Sequence, residues 1–200
     1  MLRARFLLVL LALVLSACRQ DAPTDDSGLG VLEDLSSASF SLVDQDSVAV
    51  DFPSDFEGKP VVLGFIYTFC PDICPATTAN MKEIRRQLGN PPDVQFATVT
   101  FDPERDTPSV LKNYARAYGL ADTDWTFLTG TPDEISRLME RMRVRVERSD
   151  STVNEDGSVF YFVNHTDQIS LIDESERLRF SYGGSNTPPE IIVEDTNALR

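Results

Sequence analysis

The stretch VVLGFIYTFCPDICP, residues 61–75, changes character half-way along. Val61 to Tyr67 is an unbroken apolar run of the kind that is buried on both faces of a sheet. Tyr67 to Pro75 then sets Cys70 and Cys74 in a proline-bounded turn, and Ala76 to Leu88 reads as a helix ending near Gly89. Strand, turn and helix in direct succession put the cysteines at the carboxyl end of a buried strand, where open α/β sheets collect their ligands. Four-residue spacing brings both sulfurs to one side of a helical turn. Near a helix N-terminus, backbone N–H groups and the helix dipole favour thiolate over thiol, the form that a soft metal ion or disulfide exchange requires. The competing reading is a structural disulfide. Closing so short a loop removes little chain entropy, which makes it a weak staple.

Similar units flank this one. Phe40 to Val43 and Val48 to Val50 alternate around a polar turn and predict an opening hairpin. Val94 to Phe101 is a further strand, after which Thr107-Pro108 opens a helix, with Thr107 as N-cap, that Gly119 closes. Thr131-Pro132-Asp133-Glu134 repeats that device. Val159 to Val163, Gln168 to Asp173 and Leu178 to Tyr182 predict strands, and Pro189 to Leu199 a closing helix. Strands alternating with helices predict an α/β domain over 39–200, with a largely parallel sheet and helices on its faces.

His165 is the chain's single histidine and follows the apolar stretch Val159 to Asn164. A lone histidine is commonly a surface or hydrogen-bonded residue. Against that, Cu(I) is soft, accepts low coordination by thiolates and takes an imidazole as third donor. Thiol–disulfide enzymes of the thioredoxin type hold a cis-proline opposite their cysteines. Between Pro132 and Pro188 this chain has no proline, and His165 falls where that element belongs. The loop Asp102-Pro103-Glu104-Arg105-Asp106-Thr107-Pro108 follows the second central strand and faces the same end of the sheet. Asp102 is a candidate to orient the cysteine loop or His165 without touching a soft metal. Local capping and pairing is the equal alternative for Asp102, and the preferred reading for Glu104, Arg105 and Asp106.

At the N-terminus, Arg3 and Arg5 precede an apolar run from Phe6 to Leu15, then small residues and Cys18. That is the pattern of an export signal, too short for a transmembrane helix of about 20 apolar residues. Leu15-Ser16-Ala17-Cys18 resembles the bacterial lipobox, which implies a leader over 1–17, acylation of Cys18 and a flexible tether over 18–38. A simple signal peptide or short uncleaved anchor is the other reading. The expected location is the periplasmic side of a bacterial membrane in the cell envelope, lipid-anchored, where a cysteine pair meets oxidising conditions. A formal net charge of −14 argues against nucleic acid as a partner.

Four stretches taken together resemble the Sco/SenC family of copper proteins, which assist assembly of cytochrome c oxidase. They are GFIYTFCPDICPA (64–76), TFDPERDTPSV (100–110), WTFLTGTP (125–132) and VNHTDQISLID (163–173), in the expected order across nearly the whole domain. The resemblance implies a thioredoxin-like fold with additional β-hairpins, one of them at Arg148 to Phe162 around Asn154-Glu155-Asp156-Gly157. It implies copper, as Cu(I) and also Cu(II), held by Cys70, Cys74 and His165, and delivery to the copper-accepting subunit of cytochrome c oxidase. Other periplasmic copper or thiol-redox proteins are further expected partners. The alternative is a thiol–disulfide reductase that keeps target cysteines reduced, using Cys70 and Cys74 and not His165. A thiol peroxidase needs an activating cation, and Arg105 is the one candidate. The chain departs from the family pattern at Phe69, where many members have histidine, and in its lipid rather than transmembrane anchor.

Overall fold

The computed structural model describes residues 28–155 and 159–200. The expected leader, Cys18 and, in the later hairpin, Asp156 and Gly157 lie outside the described residues. One compact unit runs from Leu32 to Arg200. In chain order its strands are β1 (Glu33–Asp34), β2 (Phe40–Asp44), β3 (Ala49–Phe52), β4 (Val61–Ile66), β5 (Gln95–Thr100), β6 (Thr126–Gly130), β7 (Val146–Arg148), β8 (Thr152–Val153), β9 (Val159–Phe160), β10 (Val163–His165), β11 (Ile169–Ile172) and β12 (Arg177–Tyr182). Its helices are α1 (Ile73–Gln87), α2 (Pro108–Ala117), α3 (Pro132–Arg141) and α4 (Pro189–Ala198).

Eight strands form one sheet in the order β1-β12-β11-β4-β5-β6-β2-β3. The run read from Val61 becomes β4, the middle of that sheet, and all six of its residues are buried. The sheet is mixed rather than largely parallel: only β4–β5 and β5–β6 pair in parallel. The hairpins β2–β3 and β11–β12 supply antiparallel strands, because connections that short cannot make the crossover a parallel pair needs. Residues 33–38, expected as tether, belong to the domain instead. β1 pairs with β12 at the sheet edge, and Leu35 is fully buried.

Helices cover both faces. Gly64 of β4 leaves room that the Met81 side chain of α1 fills, where a β-carbon would meet Sδ. The Tyr114 hydroxyl of α2 meets Thr78 of α1 at 2.8 Å and its ring faces Phe127, whereas Ile135 of α3 packs beside Gly130, on the opposite face of β6. Caps differ from expectation at one of the two Thr-Pro starts. Thr131 accepts the Glu134 N–H at 3.2 Å, but the Thr107 hydroxyl pairs with that of Ser109. The stretch expected as one strand over Val159 to Val163 is two. Its pairing partner changes from β8 to β7 across Tyr161, which turns inward and is buried.

This topology gathers three loops at one end. β4 and β5 run parallel, so the cysteine turn and the Asp102–Asp106 loop leave from the same edge. β11 runs antiparallel to β4 with Ile169 opposite Gly64, so the segment carrying His165 enters there too.

Candidate metal centre

Helix α1 begins three residues earlier than the pattern predicts. Asp72 caps it by accepting the Ile73 N–H at 2.6 Å, which brings Cys74 and Pro75 into the first turn. A proline there lacks only an N–H that the first turn leaves unpaired. Cys70 lies just outside, half-buried, in a turn closed by its N–H to the Tyr67 carbonyl at 3.3 Å. The two thiols are free, and they are bridged by a backbone contact in which the Cys74 N–H donates to Sγ of Cys70 at 3.3 Å. Sγ of Cys74, fully buried, accepts the Tyr67 N–H at 3.5 Å.

His165 is the last residue of β10, paired with Val146 of β7, not a residue beyond a strand. Its Nδ1 lies 3.1 Å from the Thr166 carbonyl oxygen. A carbonyl only accepts, so Nδ1 carries the proton and the lone pair resides on Nε2. Nε2 faces Sγ of Cys74 at 3.6 Å. The imidazole packs against the rings of Phe101, at 4.5 Å, and Tyr67, at 5.9 Å, which also touch each other at 5.4 Å. The two Sγ atoms and one ring nitrogen all lie within 4.8 Å of one another. Three donors at about 2.0–2.3 Å from one ion in a trigonal plane stand roughly 3.5–4 Å apart, so a small contraction closes this set. The site opens through a cleft of about 430 Å³ lined by Tyr67, Cys70, Ile73, Phe162, His165 and Asp167.

The expectation that the helix N-terminus favours both thiolates is corrected for Cys74. Burial pushes its thiol far up, and the single N–H from Tyr67 does not offset that. The helix end offers little more, since the N–H of Cys74 itself goes to Cys70.

Asp102 is buried but reaches neither a thiol nor His165. It accepts the Tyr161 hydroxyl at 2.7 Å and the Nε–H of Arg105, and Nη2 of Arg148 lies 3.8 Å away. Its partner Arg105 is the side chain that extends toward the cysteine turn. That guanidinium lies over the Tyr161 ring at 3.7 Å, donates to the Tyr161 carbonyl at 3.0 Å, and sits 5.2 Å from the ring of Phe69 beside Cys70. The local pairing expected of Arg105 is thus present, and its partners are Asp102 and Tyr161. Glu104 pairs with Arg148 at 2.8 Å. Phe69, half-exposed, packs edge-on against Phe160.

Asp106 is not a capping residue. Fully buried, it accepts the Thr68 N–H at 2.9 Å, the Thr68 hydroxyl at 2.5 Å and the Thr100 hydroxyl at 2.6 Å, so it ties the cysteine turn to β5. Spacing alone gave no signal for this, because Thr68 is 38 residues away.

A sequence profile described as SCO1/SenC matches residues 32–199. The chain belongs to the SCO1/SenC family. The SCO1 protein homolog of Bacillus subtilis is 30% identical over 165 residues, 80% of each chain. Bradyrhizobium japonicum ScoI, solved with copper bound, superposes with a TM-score of 0.69 at 31% identity, over 82% of this chain and 98% of that one. Yeast Sco1, also solved with copper bound, gives a TM-score of 0.67 at 27% identity, over 80% and 87% of the two chains. The thioredoxin-like α/β fold with added hairpins is thereby established for this SCO1/SenC chain, with β7–β10 and β8–β9 as the additions.

Proposed function

We propose that this SCO1/SenC protein is a metallochaperone that holds copper through Cys70, Cys74 and His165 and passes it to the copper-accepting subunit of cytochrome c oxidase. The observation that carries the reading is the convergence of two thiols with a ring nitrogen whose partner atom is already hydrogen-bonded as Nδ1–H. Two sulfurs and one imidazole form a soft set with low coordination number, which suits Cu(I). An open fourth position and a half-buried Cys70 leave a path for an incoming ligand from the acceptor. Relatives solved with copper bound support the same cargo. Acylation of Cys18 and a lipid-anchored, periplasmic position complete the proposal. Their support is the sequence pattern Leu15-Ser16-Ala17-Cys18 after a short apolar run. Among the described residues, no helix is long and apolar enough to cross a membrane.

His165→Ala tests the third ligand. Cu(I) affinity, read by competition with a chromophoric chelator, is expected to fall by more than about a hundredfold, beyond the range typical of groups outside the ligand set. X-ray absorption is expected to lose its nitrogen donor while thermal unfolding of the metal-free protein changes little. Unaltered affinity would refute the assignment of His165.

Proton release gives a second test. Burial holds Cys74 as the thiol at neutral pH, so copper must displace its proton. Affinity is therefore expected to rise up to about tenfold per pH unit for this proton alone. Without metal the sign reverses above the thiol's ordinary value of 9.0. The unfolded chain loses the proton first, the folded chain retains it, and stability falls as the pH rises further.

The thiol–disulfide reductase reading is favoured by one feature, a half-buried Cys70 beside a buried Cys74 that donates its N–H to it. Disulfide reduction without copper, retained by His165→Ala, would mark that activity. It is compatible with copper carriage, since only the reduced pair binds the ion well.

A further inference from the structure

The segment between His165 and β11 is clamped from two sides. On one side Thr166 donates its N–H to the Arg145 carbonyl and accepts the Arg145 N–H on its hydroxyl, both at 3.0 Å. On the other side Asp167 reaches across to the cysteine helix. Its Oδ1 accepts the Thr77 hydroxyl at 2.9 Å, and its Oδ2 accepts the Ser185 N–H at 2.9 Å and the Ser185 hydroxyl at 2.7 Å. The Thr77 hydroxyl also lies 3.0 Å from the Ile73 carbonyl, but it has one proton, and a carboxylate is the stronger acceptor.

The Ser185 loop is itself fastened to α1, because the Asn80 amide donates to the carbonyls of Gly184 at 2.7 Å and Thr187 at 2.9 Å. There is no slack in the packing. A β-carbon at Gly184 would stand 2.6 Å from Oδ1 of Asp167 and 2.9 Å from Cγ2 of Thr77. Thr77 is buried three residues after Cys74, and Asp167 stands two residues after His165. The clasp therefore spans the two arms of the metal centre, helix and imidazole strand.

We propose that Asp167 is a positioning residue that, through Thr77 and Ser185, sets the imidazole of His165 opposite Cys74 before any metal arrives. This rests on the reading of Cys70, Cys74 and His165 as copper ligands. The physical effect is pre-organisation. The backbone between Thr166 and Asp167 carries the carbonyl that takes the Nδ1–H of His165. With that backbone fixed, the ring has one orientation and one tautomer, and binding need not order it.

The test uses the intact chain with Asp167→Ala and Thr77→Val, each alone and combined with His165→Ala. Asp167→Ala is expected to weaken Cu(I) about tenfold in the presence of His165. In the His165→Ala background it is expected to change affinity by no more than about twofold. Thr77→Val, which keeps side-chain shape and deletes the hydroxyl, is expected to weaken binding in the same direction. The metal-free protein supplies an independent reading, because its only histidine gives a single set of ring nitrogen resonances. Wild type is expected to show the Nδ1–H tautomer and Asp167→Ala an average of both. Equal losses with and without His165, unchanged affinity in Thr77→Val, or an undisturbed tautomer in Asp167→Ala would each overturn the proposal. A wild-type chain that bound no copper would instead refute the metal-site reading beneath it.

Discussion

Cys74→Ala is expected to bring copper binding close to zero while leaving a folded domain. Cys74 is the donor that the other contacts are arranged around. Its sulfur takes the Tyr67 N–H and faces Nε2 of His165 at 3.6 Å, and Cys74 is the one residue of the three that is fully buried. Without it one thiolate and one imidazole remain, too few to hold Cu(I) against a competing thiol or chelator. The loss should exceed the roughly 10–100-fold attached to groups outside the ligand set, which is more than ~2.8 kcal/mol at 1.4 kcal/mol per tenfold. The cost to the metal-free fold is that of deleting one buried heavy atom, about 1 kcal/mol. Chelator competition under reducing conditions reads the first quantity and denaturant unfolding reads the second. One equivalent bound at wild-type affinity would remove Cys74 from the site.

Asp106→Ala is expected to have the largest effect on stability of the substitutions considered, about 3 kcal/mol for three hydrogen bonds to a buried carboxylate. It strands the Thr68 N–H and frees the turn that leads into Cys70. Asp106→Asn is expected to cost far less. The amide oxygen still accepts from the Thr68 N–H and the Thr100 hydroxyl, and the Thr68 hydroxyl rotates to accept from the new NH₂. Burial outweighs these hydrogen bonds and raises the Asp106 carboxyl above its ordinary 3.8. The folded chain consequently binds that proton more readily than the unfolded one. This contribution to stability is complete below 3.8 and declines as the pH rises through the folded value. Asp106→Asn is expected to abolish that component of the pH profile, which acid titration of denaturant midpoints against wild type measures. A profile identical to wild type would show that Asp106 does not titrate differently on folding.

Several features of the fold were legible because they depend on local pattern. The all-apolar run at Val61, the proline-bounded cysteine turn and the Thr-Pro helix starts need no distant partner to be read. The boundaries that failed depend on neighbours. β1 is two polar residues, recognisable as a strand only by its pairing with β12. The early start of α1 follows from Asp72 capping a helix that runs through Cys74, where the sequence pattern predicts a start at Ala76. The sheet's mixed direction follows from which edges the hairpins join, and strand periodicity is the same in either direction.

By itself the sequence determined the residue types of the centre: two thiols four apart at a strand–helix junction, and a single histidine downstream. Local spacing can do that, since a helical turn brings positions four apart together. Only the tertiary structure decided how those groups behave. It buried Cys74 and so kept its thiol protonated, against the pull of the helix end. It separated two aspartates four residues apart, giving Asp102 to Arg105 and Tyr161 and Asp106 to the cysteine turn. It also set Asp167 against Thr77, 90 residues away. Desolvation and hydrogen bonding act through space, and a chain's order along its length carries no measure of either.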